Sequence, residues 1–92
     1  MARLRCHGAP VLDYVRRKPG KTAEEFDETT IRLMSDGSLM RQDHSAFLVT
    51  GPGFPDRLLK TRGGWKMAKL KPEIMANPDR LIEHGFVKQQ PK

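Results

Sequence analysis

Residues 22–37 read Thr22-Ala23-Glu24-Glu25-Phe26-Asp27-Glu28-Thr29-Thr30-Ile31-Arg32-Leu33-Met34-Ser35-Asp36-Gly37, and the conformation of this stretch decides the architecture of the chain. Thr22 with Glu25 three residues later has the form of a capping box, in which each side chain satisfies an exposed backbone N–H of the other. Glu24, Glu25, Asp27 and Glu28 put negative charge near a helix N-terminus, where the backbone dipole favours it. Phe26, Ile31, Leu33 and Met34 fall on or near one face of a helix expected to run to about Ser35, and Asp36-Gly37 breaks it. The acidic cluster is thereby assigned to dipole complement and not to a metal or catalytic site.

Upstream, Pro10 suits the first turn of a helix. Val11, Leu12, Tyr14 and Val15 follow with three-and-four spacing, Arg16, Arg17 and Lys18 complement the last turn, and Pro19-Gly20 stops it. Arg3 to Cys6 alternate as a short edge strand.

Downstream the character becomes extended. Ser38–Gln42 and Ala46–Thr50 are expected strands joined through Gln42-Asp43-His44-Ser45. Gly51 to Asp56 form a loop whose Phe54 is expected to tuck into the core. Arg57–Arg62 and Trp65–Leu70 flank Gly63-Gly64 as a second hairpin. A turn closing on Gly64 aligns Leu59 and Thr61 with Trp65 and Met67, points Lys60 and Lys66 outward, and makes Trp65 a core anchor. Pro72 opens a helical turn. Asn77-Pro78 starts a further helix through Leu81 and Ile82 that Gly85 ends, and Lys88 to Lys92 are expected to fray. The expected fold is α+β: a single domain over residues 1–92, with two or three helices and an antiparallel sheet of about four short strands.

The chain of 92 residues has 17 Lys and Arg against 11 Asp and Glu, a formal charge of +6 that draws it toward polyanions. Cys6 is the only cysteine, so no internal disulfide forms and a reducing, cytoplasmic setting is expected. No stretch has the length and apolarity of a membrane span. Cys6, His7, His44 and His84 lack metal-site spacing, and no phosphate-cradling glycine motif is present. Asp43-His44-Ser45 contains triad residue types, but neighbours in sequence rarely face one another. The protein is therefore expected to be non-enzymatic, with no cofactor and no metal.

From Arg57 to Lys71 the chain carries Arg57, Lys60, Arg62, Lys66, Lys69 and Lys71 and no acidic residue. A hairpin would gather these cations into a strip able to pair with phosphates and release their counterions. Trp65 among them has the character of a base-stacking residue. Arg16, Arg17, Lys18 and Lys21 form a second basic group.

The order helix, capped helix, glycine-initiated strand and basic glycine-tipped hairpin resembles a winged helix-turn-helix domain. The resemblance rests on Thr22-Ala-Glu-Glu, on Asp36-Gly-Ser-Leu-Met-Arg41 where a recognition helix would pass into a strand, and on Leu58 to Met67 as the wing. It implies DNA binding, with a helix in the major groove and wing contacts to phosphate. The function expected is nucleic-acid binding through the basic hairpin. The alternative is a phage or mobile-element inhibitor that, in the manner of anti-CRISPR proteins, docks on a host ribonucleoprotein complex and competes with its nucleic acid.

Overall fold

The computed structural model describes residues 8–48, 52 and 57–91, with residues 57–60 described by their backbone alone. The expected strand over Arg3–Cys6 and the expected burial of Phe54 lie outside these residues.

Among the described residues the fold is one antiparallel sheet of six strands with two short helices, not the expected two or three helices with a sheet of about four short strands. In chain order the strands are β1 (Pro10–Pro19), β2 (Glu25–Met34), β3 (Leu39–Leu48), β4 (Arg57–Arg62), β5 (Lys66–Met67) and β6 (Val87–Gln89). The spatial order is β4-β3-β2-β1-β6, with β5 also on β3. Both long helices expected from the sequence are strands. The first of them is β1, which pairs with β2 from Pro10↔Met34 to Pro19↔Phe26.

The reason lies in which residues are buried. Along β2, Phe26, Glu28, Thr30 and Arg32 share one face, and Asp27, Thr29, Ile31 and Leu33 share the other. Glu28 and Thr30 are buried, as Ile31 is on the other face. Apolar residues alone therefore fall at helix-like intervals, while β-branched Thr29, Thr30 and Ile31 favour the extended chain that forms. Thr22, read as a helix cap, instead lies in a turn where its carbonyl accepts from the Glu25 N–H at 3.2 Å. The Glu28 carboxylate, read as dipole complement, engages Arg17 across the strands.

Asp36-Gly37 is the turn of the β2–β3 hairpin. Gly37 adopts φ 90°, a conformation that other residues seldom take, and its N–H donates to the Met34 carbonyl at 2.9 Å. β3 then runs unbroken through Gln42-Asp43-His44-Ser45, which is not a hairpin connection.

The second expected hairpin is also absent. β4 pairs with β3 from Leu48↔Arg57 to His44↔Arg62, and β5 continues along the same strand at Arg41↔Lys66 and Met40↔Met67. The two segments run end to end, interrupted by Gly63-Gly64-Trp65. Gly63 keeps the ladder by donating to the Asp43 carbonyl at 2.8 Å, and a Cβ added to it would stand 2.9 Å from that oxygen. Glycine is required there by close approach of a backbone, not by a reversal of the chain.

After β5 the chain crosses one face of the sheet. Helix α1 (Pro72–Ala76) leads into a 3-10 helix (Pro78–His84), whose first turn is capped by the Asn77 side chain and whose end is closed by left-handed Gly85. These two segments were legible in the sequence. Ala68, Ile74, Leu81 and Phe86 from this crossing pack on Tyr14, Ile31 and Leu39 of the sheet and form the core, with Leu12, Leu33 and Leu70 at its margin. Full burial of a side chain such as Ile31 or Leu81 contributes about 2 kcal/mol. The Tyr14 hydroxyl donates to Asp79 at 2.7 Å and ties the crossing down. β6 then adds to β1 at Asp13↔Gln89 and Val15↔Val87, so Lys88 and Gln89 belong to the sheet and not to a tail.

Candidate functional site

The crossing covers one face of the sheet, and the central strands' opposite face carries polar side chains. Asp13, Glu28, Thr30, Gln42 and His44 are all buried there. Buried polar groups are the informative exception in a protein of this size, since each must be hydrogen-bonded or is costly.

Their pairing follows from the register. Arg32 stands across from Asp13 and binds both its carboxylate oxygens, Nε to Oδ1 at 2.8 Å and Nη2 to Oδ2 at 3.0 Å. This bond, against the cost of burial, pushes the guanidinium above its ordinary pKa and holds it charged. Glu28 stands between Arg17 and His44: its Oε2 accepts from Arg17 Nε at 2.9 Å and its Oε1 lies 2.7 Å from His44 Nε2. With the carboxylate accepting, Nε2 carries a proton, and in the neutral ring Nδ1 is left as an acceptor. His44 Nδ1 is buried and has no hydrogen-bond partner among the described residues.

These groups floor a groove of about 310 Å³ lined by Asp13, Val15, Glu28, Thr30, Arg32, Gln42, His44, Arg62, Trp65 and Gln89. Gln42 donates its amide to the Gly63 carbonyl at 2.9 Å, which anchors the interruption between β4 and β5 to the groove floor and leaves the Gln42 carbonyl as an acceptor. Trp65, set in that interruption, is 38% exposed and lies on the Arg32 guanidinium, 4.6 Å from Cζ to the ring centroid. It is a rim residue, not the core anchor expected from a hairpin register. Arg62 is exposed, and no carboxylate pairs with it among the described residues. A second aromatic–arginine stack, Phe26 with Arg17 at 4.7 Å, stands farther along the same face.

The expected basic strip is dispersed. Arg57 and Lys60 lie on β4. Arg62 and Trp65 reach the groove, whereas Lys66 pairs in register with Arg41, whose side chain belongs to the covered face. Lys69 and Lys71 are exposed along the crossing. Of the second group, Arg17 is on the groove face but bound to Glu28, and Arg16 packs on Phe86 of the covered face, 4.5 Å from the ring centroid. Lys18 is exposed near the end of β1, and Lys21 borders a shallow depression with Ser45 and Thr61. The two groups meet in one place: Arg16 and Lys71 line the same cavity on the covered face, joined by Arg41.

Asp13, Glu28, Thr30, Arg32, Gln42, His44 and Gln89 were missed because only strand pairing brings them together. Their one sequence signal is that polar residues recur at every second position, Glu28-Thr30-Arg32 and Gln42-His44. Asp43 and Ser45 lie on the face opposite His44, so the three do not form a triad.

Among the described residues no helix is long and apolar enough to cross a membrane, and no three His, Cys, Asp or Glu side chains cluster as a metal site. Comparison with protein-family models, curated proteins and solved structures finds no match to this chain.

Proposed function

We propose that this protein is a non-enzymatic, cytoplasmic binder of single-stranded nucleic acid, and that it engages a base and its phosphate at the groove on the open sheet face. The observation that carries this is Trp65: an exposed indole at the groove rim, held flat by Arg32, which is itself held by Asp13. A stacking platform loses less entropy on binding when its plane is already fixed.

Electrostatics support the same reading. Asp13 and Glu28 are each neutralised by an arginine, so the groove floor does not repel phosphate, and Arg62, paired with no carboxylate among the described residues, adds a cation at the wall. The formal charge of +6 favours approach to any polyanion. The Gln42 carbonyl and the Thr30 hydroxyl, on residues that line the groove, offer the mixed donors and acceptors that an unpaired base edge needs. A single strand is favoured over duplex because the groove meets bases that are free to leave a stack.

The test is binding of labelled single-stranded RNA, single-stranded DNA and duplex DNA to the wild type and to Trp65→Ala and Arg62→Gln. Selective single-strand binding that both variants weaken supports the proposal. Weak, equal binding to all three polymers, unchanged in the variants, removes it and points instead to docking on a ribonucleoprotein complex.

A further inference from the structure

The register puts four side chains of the open face in one row across the sheet. Arg17 of β1 stands opposite Glu28 of β2, Glu28 opposite His44 of β3, and His44 opposite Arg62 of β4. An arginine therefore closes each end of the row, three interstrand steps apart, or about 14 Å at the usual spacing of strands. The two middle groups are buried and tied to each other, with Glu28 Oε1 2.7 Å from His44 Nε2.

Arg17 is the member of the row that the groove leaves unused. Its Nε donates to Glu28 at 2.9 Å, and its guanidinium lies on the Phe26 ring, 4.7 Å from Cζ to the centroid. Phe26 is buried beneath it, whereas the Arg17 side chain is 53% exposed, so the surface offered to solvent is that of the arginine. This is the Trp65–Arg32 arrangement inverted: there an arginine backs an exposed ring, here a buried ring backs an exposed arginine. A carboxylate holds the arginine in both. Guanidinium planes take unpaired bases as aromatic rings do, and a plane already fixed loses less freedom in doing so.

We infer that Arg17 is a second base-stacking subsite, and that a single strand of nucleic acid crosses the row from Trp65 and Arg62 to Arg17. The inference rests on the single-strand reading of the groove and extends it. Charge complementarity selects the occupant: a cation at each end of the row suits a chain of regularly spaced phosphates, and the strand passes over Glu28 and His44 without needing to touch them. The span is about four nucleotides at the ~3.4 Å rise of a stacked strand. A dinucleotide thus reaches one end of the row only.

The probes are uridylate and thymidylate oligomers of two, four, six and eight nucleotides, titrated into the wild type and Arg17→Lys and followed by Trp65 fluorescence. Lysine keeps the charge beside Glu28 but not the plane. In the wild type, affinity should rise more than about tenfold from two to six nucleotides and level off beyond. Arg17→Lys should lose about threefold to fivefold with the hexamer, the worth of an exposed cation–π contact, and nothing with the dimer. The NMR signal of the Arg17 side-chain N–H in the wild type should shift with the hexamer and stay in place with the dimer, which reads the contact without a substitution. Equal affinity at two and six nucleotides, an effect of Arg17→Lys that does not depend on length, or an unmoved Arg17 signal with the hexamer bound would each overturn the subsite and leave Trp65 as the sole stack. Quenching of Trp65 by no oligomer would remove the groove reading and this subsite with it.

Discussion

The Arg32 guanidinium lies 4.6 Å from the centre of the Trp65 ring while its Nε–Nη2 edge is taken by Asp13. A carboxylate on β1 thus fixes, through one arginine on β2, the plane of an exposed aromatic carried beyond β3. Replacing Asp13 with Asn keeps the shape but removes the charge that Arg32 needs. With side chains only 9% and 17% exposed, breaking this pair should cost about 3 kcal/mol, read as a lower midpoint in urea unfolding.

Trp65→Ala should lower stability by about 1 to 2 kcal/mol, through the lost Arg32 stack and partial burial, and leave the domain folded. Single-strand affinity should fall roughly tenfold to a hundredfold, the range for loss of one base stack. Equal affinity with intact folding would remove Trp65 from the interface.

Arg62→Gln should lower single-strand affinity and reduce the slope of log K against log salt by about 0.7, the value for one phosphate contact on a single strand. Binding measured at four or five salt concentrations checks this directly.

Gly63 and Gly64 distinguish the collinear β4–β5 edge from a hairpin. A Cβ on Gly63 meets the Asp43 carbonyl oxygen at 2.9 Å, whereas one on Gly64 meets nothing within 4 Å. Gly63→Ala should therefore destabilise by about 1 to 3 kcal/mol and Gly64→Ala by less than about 0.5. A hairpin turning on both glycines would make the second change costly too.

Tyr14 is the only tyrosine, and burial, with its hydrogen bond to Asp79 and the charge of that carboxylate, pushes its pKa from 10.0 up to about 12. Folding favours the protonated phenol, so this contribution is complete below pH 10 and is lost as pH rises through about 12. Alkaline difference absorbance should place the tyrosine midpoint near 12, and Tyr14→Phe should abolish the part of the alkaline loss of stability that lies between these values. Asp79 is shifted the other way: the Tyr14 hydroxyl and then Lys88 hold it below its usual range, so its contribution is present above the ordinary carboxylate pKa and is lost on acidification.

The parts of the fold legible in the sequence are those fixed locally. Pro19-Gly20, Asp36-Gly37 and Asn77-Pro78 through Gly85 each punctuate the chain through their own backbone chemistry, and each falls at an element boundary. The strand Arg57–Arg62 was legible with its bounds and β3 in two pieces, but β1 and β2 were not, because a sheet whose second face buries side chains need not be apolar on that face. Asp13, Glu28 and Thr30 look solvent-facing in sequence and become buried only when strand pairing brings Arg32 to Asp13 and Arg17 and His44 to Glu28. Once those positions are taken for surface, Val11, Leu12, Tyr14 and Val15 imitate a helix. Gly63-Gly64 misled in the same way, since two glycines mark a tight turn or a close strand contact equally well, and only the Asp43 carbonyl distinguishes them. For the site, Arg62 and Trp65 were visible as a cation and an aromatic in a basic segment, but the groove they border required the register of three strands.

The central claim is that Trp65, the only tryptophan, is the stacking platform of a single-strand interface. The most direct test is its fluorescence during titration with single-stranded oligonucleotides, with mobility followed in parallel. The account predicts saturable quenching of Trp65 that tracks complex formation, weakens with salt, and is not matched by duplex DNA. Complex formation with unchanged Trp65 emission, or no complex with any single strand, would contradict it.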